Sequence, residues 1–168
     1  MQVEFDPLLC NGTWDIVPPP CNANIVGCKW VYRIKRNPMV KPTTIRSVLT
    51  IALTRDWHLH QVDINNAFLN GDLSERVYMA QPPGFIDHAR PDHVCLLKKA
   101  LFGLKQAPRA WFTKLGSFLL HHGFQSCKSD TSLFIRHSGD SVLYILVYVD
   151  DLIITGSRSA DITQLSLC

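Results

Sequence analysis

Val142 to Gly156 reads VLYILVYVDDLIITG, two apolar runs rich in β-branched residues with Asp150 and Asp151 side by side between them. Such runs read as strands, and the acidic pair sits where the chain must turn between them. Two adjacent carboxylates at the tip of an apolar hairpin repel each other and are most easily kept ionised beside a cation. The alternative is a solvated turn, because aspartate is a common turn residue. The hairpin alone leaves both readings open.

Composition narrows the class of protein around it. The chain has 168 residues, 46% of them hydrophobic, enough to bury a core of ordinary domain size, so one domain or part of one is expected. A formal charge of +3 with 18% charged residues is only mildly basic; it permits a nucleic-acid partner without requiring one. Cys10, Cys21, Cys28, Cys95, Cys127 and Cys168 are scattered with no Cys-x-x-Cys, which signals neither a zinc site nor a disulfide framework. Reduced and mostly buried thiols are expected. No apolar run reaches membrane-spanning length and the first residues do not open a signal peptide, so the chain reads as intracellular, with no membrane partner.

Working back from the hairpin, Ser132 to Arg136 reads as the strand that precedes it across a Ser138-Gly139-Asp140 turn. Ala110, Trp111, Leu115, Phe118 and Leu119 form an apolar stripe, predicting a helix from Pro108 that stops at Gly123. Lys105, Gln106 and Arg109 at its start are placed to meet an anion at the positive helix end. Val77 to Met79 and Val94 to Lys98 read as short strands around a Gln-Pro-Pro-Gly turn.

Pro42 followed by Ile45, Val48, Leu49, Ala52 and Leu53 predicts a first helix, and HLHQVD predicts a strand ending near Asp63. His58 and His60 share a face of that strand but lack a third ligand nearby, which favours ordinary exposed histidines. IVGCKWVYRIK, residues 25 to 35, alternates with Lys29, Arg33 and Lys35 on its outer face; these could follow a phosphate backbone or simply be solvated. Residues 1–24, with three consecutive prolines, are expected to be an irregular lead-in with one short extended piece.

Asp63, Asp150 and Asp151 on neighbouring strand ends make a metal triad plausible. Hard oxygen ligands select Mg²⁺ or Mn²⁺ over zinc, and two such ions about 4 Å apart suit nucleotidyl transfer. Spacing alone does not separate that chemistry from a nuclease or a structural cation site.

Several blocks in fixed order resolve the family. VKPTTIRSVLTIAL, QVDINNAFLNGDL, VYMAQPPGF, LLKKALFGLKQAPRAWF, SDTSLFI and LYILVYVDDLIITG resemble successive blocks of copia-type retrotransposon reverse transcriptases, and GTWDIVPPP and IVGCKWVYRIKRNP resemble the start of that domain. The likeness runs from about Gly12 to Ala160. It implies an α+β fold, a reverse-transcriptase palm with partial fingers in which an antiparallel sheet packs on two helices, over residues 25–168.

The same resemblance implies an RNA-directed DNA polymerase with two Mg²⁺ or Mn²⁺ ions on Asp63, Asp150 and Asp151, Asp151 being the less direct ligand. Tyr148 lies near the primer end, Phe68 excludes a ribose 2′-hydroxyl, and Gln106 touches the incoming nucleotide. The implied partners are an RNA template, a DNA primer and deoxynucleoside triphosphates.

The chain departs from that family between two of these blocks. Between segments like IKRNP and VKPTTIR the family carries about thirty residues of fingers, with the lysine and arginine that grip the triphosphate; here Pro38, Met39 and Val40 join the two directly. Thumb and RNase H segments are also absent from these residues. Whether the chain turns over substrate is therefore left open by its sequence, with an inactive remnant that at most binds nucleic acid as the alternative. Loss of the fingers strand is expected to leave an open edge beside residues 28–36.

Overall fold

In the computed structural model, which describes residues 2–28, 40–160 and 162, the chain runs α1 (Gln2–Cys10), β1 (Trp14–Val17), β2 (Ile25–Val26), α2 (Pro42–Thr54), β3 (Leu59–Asp63), a 3-10 turn (Ala67–Asn70), β4 (Asp72–Ala80), β5 (Val94–Lys99), α3 (Ala107–His121), β6 (Gln125–Ser126), β7 (Leu133–Ser138), β8 (Ser141–Tyr148) and β9 (Asp151–Gly156). The fold is α+β. The chain divides into two compact units, Met1–Lys35 with Phe68–Trp111 and Arg36–Ala67 with Phe112–Cys168.

The first unit holds a sheet of order β1-β5-β4-β2, antiparallel except for the β2-β4 pair. Val77, Met79, Cys95 and Leu97 form its buried cluster, with Trp14, Leu101 and Leu104 against it. The lead-in is more ordered than its prolines suggest. α1 forms where irregular chain was expected, because Phe5 is buried with its ring stacked on Phe85 at 3.8 Å and tilted against Trp14 at 5.9 Å. A tertiary contact of this kind leaves no periodicity in a short segment.

The second unit holds a fully antiparallel sheet of order β3-β9-β8-β7-β6. Side chains alternate across a strand, so Leu146 and its partner Leu133 face one side while Ile145 and its partner Phe134 face the other. Val48 and Ile45 of α2 pack with Leu133 and Leu146 on the first side. Phe112 of α3 packs on Phe134 with ring centroids 6.2 Å apart on the second. The sheet is thus covered by one helix on each face.

Both helices end by the same device. At α3, Gly123 has φ +81°, the Phe124 amide donates to Leu119 O at 3.0 Å and the Gly123 amide to Leu120 O at 3.1 Å, a Schellman stop at the predicted glycine. At α2 the left-handed residue is Asp56, φ +52°, with Trp57 N bonded to Ala52 O at 2.8 Å.

The start of α2 is held from a distance. Lys41 at its N-cap makes no side-chain cap. Its amide instead donates to Asp130 Oδ2 at 3.1 Å, where Thr44 Oγ1 also donates, while the Ser132 amide and hydroxyl donate to Asp130 Oδ1. Asp130 is buried. Burial works against its ionisation, but the hydrogen bonds from Ser132, Thr44 and the two amides outweigh it and hold the carboxyl down at about 2.

Gly156 closes the sheet beside β8. A Cβ there would lie 2.6 Å from Val142 O and 2.8 Å from Leu143 Cδ1, so only glycine lets the strands approach this closely. Gly156→Ala is expected to destabilise the chain by about 1–3 kcal/mol in urea unfolding. A loss below about 0.5 kcal/mol would show that the strand end shifts without strain.

The expectation of mostly buried thiols is corrected. Of the described cysteines, all free, Cys95 is buried, Cys28 and Cys127 are half-buried, and Cys10 and Cys21 are exposed. Burial, with Cys28 nearby, pushes the Cys95 thiol up to about 11 and keeps it protonated and unreactive. Among the described residues no helix is long and apolar enough to cross a membrane.

Candidate active site

The hairpin between β8 and β9 is as tight as an antiparallel connection can be. Tyr148 pairs with Asp151, leaving Val149 and Asp150 as a two-residue loop. Val149 has φ +59°, and Asp150 is not in the left-handed region, the pattern of a type II′ turn whose first position ordinarily takes glycine. A buried, β-branched valine held there costs about 1–3 kcal/mol of local strain. Strain of this kind persists where the surrounding structure overrules it, and it marks the loop as a functional candidate.

β3 supplies the surroundings. It pairs with β9 in the register Asp63↔Asp151, and the amide of Ile64, the next residue, donates to Asp150 O at 2.9 Å. The loop is therefore tied to the end of β3 through its backbone. Asp63, Asp151 and Tyr148 form one cross-strand row on one face of the sheet. The row runs from Tyr148, packed against the α2 cluster, to the exposed Asp63.

Directly opposed side chains on an antiparallel pair have Cβ atoms roughly 4.5–5.5 Å apart, and like charges there repel. Among the described residues, neither Asp63 nor Asp151 is ion-paired. Asp151 accepts one hydrogen bond, from Gln61 Nε2 to Oδ1 at 3.0 Å. Two opposed carboxylates offering hard oxygen atoms fit a Mg²⁺ or Mn²⁺ ion by donor type and by the charge a cation would neutralise. They do not amount to a finished cage, since among the described residues no three His, Cys, Asp or Glu side chains are arranged to hold a metal ion.

Of the other sequence-derived residues, Phe68 and Gln106 belong to the first unit. Phe68 lies in the 3-10 turn of the first unit, buried, its ring 5.8 Å from that of Phe102. Gln106, half-buried in the same unit, leads into α3, where its carbonyl accepts from the Ala110 amide at 2.9 Å. Lys29, Arg33 and Lys35, and with them the expected open edge at residues 28–36, fall outside the described residues apart from Cys28. His58 and His60 are exposed, in keeping with their ordinary reading.

Reading along the chain missed Gln61, Val149 and Asp130. Gln61 carried only its place in the strand alternation, Val149 read as one more apolar strand residue, and Asp130 sat unassigned within SDTSLFI. Gln61 and Asp130 act on residues some ninety positions away, at Asp151 and Lys41. No local pattern reports such pairs.

Comparison with known proteins agrees with the blocks. Residues 36–167 match the family model described as reverse transcriptase (RNA-dependent DNA polymerase). The chain is 45% and 46% identical, over 188 residues, to the retrovirus-related Pol polyproteins from transposons RE2 and RE1 of Arabidopsis thaliana, covering 94% of this chain and 13% of each relative. It is 34% identical over 196 residues to the corresponding polyprotein from transposon TNT 1-94 of Nicotiana tabacum, covering 98% of this chain and 15% of that one.

The chain thus spans less than a sixth of the length of these relatives. With 94% of 168 residues, about 158, aligned over 188 positions, about 30 positions of the Arabidopsis relatives have no counterpart here. No solved structure matches. The chain belongs to the reverse transcriptase (RNA-dependent DNA polymerase) family, in the form carried by copia-type retrotransposon Pol polyproteins.

Proposed function

We propose that this chain is the palm, with part of the fingers, of an RNA-directed DNA polymerase, and that Asp63, Asp150 and Asp151 are its metal-binding carboxylates. The observation that carries this reading is the register that sets Asp63 opposite Asp151 beside the strained Val149-Asp150 loop. Two divalent ions held there would activate the primer 3′-hydroxyl and stabilise the leaving pyrophosphate oxygen. The protein's own part is to hold the carboxylates on two hydrogen-bonded strands, so that little reorganisation accompanies transfer.

Tyr148, in the same row as Asp151, is placed in this reading near the primer terminus. Phe68 supplies aromatic bulk against a ribose 2′-hydroxyl, and its packing on Phe102 would keep that bulk from yielding. Gln106 contacts the incoming deoxynucleoside triphosphate. Lys29, Arg33 and Lys35 follow the backbone of the RNA template and DNA primer, where their contribution would weaken steeply with salt.

A second reading is favoured by one observation, the roughly 30 positions of the relatives that lack a counterpart here. If these are the fingers residues that grip the triphosphate, the carboxylates remain without the groups that deliver substrate to them. The chain then binds nucleic acid at most. Primer extension on an RNA template with Mg²⁺ or Mn²⁺ separates the two. Slow extension that disappears in Asp150→Asn is the expected result, and no extension at any enzyme concentration favours the remnant.

A further inference from the structure

Gln61 lies on β3 two residues before Asp63, opposite Ile153, and so stands diagonal to Asp151 on the same face of the sheet. Its Nε2 donates to Asp151 Oδ1 at 3.0 Å. We infer that Gln61 is a positioning residue that fixes the Asp151 carboxylate for metal binding, an inference that rests on the reading of Asp151 as a metal ligand.

The chemistry suits this role for three reasons. A diagonal neighbour roughly 7–8 Å away is within reach of a long side chain such as glutamine. The amide is neutral, so it orients the carboxylate without cancelling the charge that would attract a cation; a lysine at this place would form an ion pair instead. By engaging Oδ1 it fixes the rotation of the carboxylate and leaves Oδ2 to a metal, as groups beyond the ligands commonly do.

Gln61 is exposed, so Gln61→Leu, which keeps the bulk and loses the donor, is expected to leave the urea midpoint unchanged. The full chain is titrated with Mn²⁺ without nucleic acid, free ion being followed by electron paramagnetic resonance, and then assayed for Mn²⁺-dependent primer extension. Loss of an outer partner lowers metal affinity about 10–100-fold. Gln61→Leu is therefore expected to weaken Mn²⁺ binding at least about tenfold and to raise the Mn²⁺ requirement of extension in parallel, with the KM for primer-template unchanged.

In the metal-free protein, the Gln61 side-chain amide resonances are expected to move in Asp151→Asn. Equal Mn²⁺ affinity in wild type and Gln61→Leu would overturn the positioning role while leaving the metal reading intact. A wild type that binds no Mn²⁺, with the Gln61 resonances still sensitive to Asp151, would overturn the metal reading and the role together. Resonances indifferent to Asp151→Asn would show that the hydrogen bond itself is not formed.

Discussion

Primer extension by an Asp63→Asn chain is expected to fall at least about a thousandfold below wild type, while the metal-free protein becomes no less stable. The first part follows from charge. A metal that polarises phosphate oxygens is worth several kcal/mol in the transition state, and each 1.4 kcal/mol is about a tenfold change in rate. Asparagine keeps the shape of Asp63 but removes the negative charge that would hold the ion.

The second part follows from the register. Asp63 stands directly opposite Asp151, and like charges so placed destabilise a strand pair, by about 0.2–1 kcal/mol for pairs of this kind. Removing one charge relieves the repulsion, so the urea midpoint should stay level or rise slightly. Activity lost without stability lost is the mark of a residue retained for function. If Asp63→Asn unfolds more easily than wild type, the carboxylate is serving the fold, and if extension survives the substitution, Asp63 is not a metal ligand.

Asp130→Ala should produce the opposite pattern, a large loss of stability, about 2–4 kcal/mol. It removes the side-chain acceptor of the Lys41 amide and of Thr44 Oγ1 at the start of α2, and it strips Ser132 of its partner in a buried place. The pH dependence identifies the cause. The folded carboxyl is held at about 2 against 3.8 for the free group, so its ionised form stabilises the fold above the unfolded value, and that stabilisation is lost as the pH falls from about 4 to about 2.

The difference of nearly two pH units corresponds to about 2 kcal/mol at neutral pH. Asp130→Asn, which does not titrate, should therefore close on wild type as the solution is acidified, the gap being about 1 kcal/mol smaller at pH 3 than at pH 6. Urea midpoints at the two pH values test this. A gap independent of pH would mean that shape alone, and not the ionised carboxylate, caps the helix.

The family and the candidate carboxylates were legible in the residues because they depend on local order. Alternation of apolar residues gives the β8-β9 hairpin, the apolar stripe with Gly123 gives α3, and Pro42 with its following periodicity gives α2. Ordered blocks then name the family, and Asp63, Asp150 and Asp151 are visible as acids at strand ends. The helix at Gln2–Cys10 was not visible, since it depends on Phe5 meeting Phe85, eighty positions further along.

What the sequence by itself determined is thus which segments form strands and helices and which acids they carry, because neighbouring residues suffice to set backbone preference. Only the tertiary structure decided that Asp63 faces Asp151, that Gln61 reaches across to hold it, that Val149 takes a conformation suited to glycine, and that Asp130 caps a helix 89 residues away from it. The physical reason is that the register between strands distant in sequence is set by the packing of whole faces, on α2 on one side and α3 on the other, and not by any property of the residues that come to lie opposite each other.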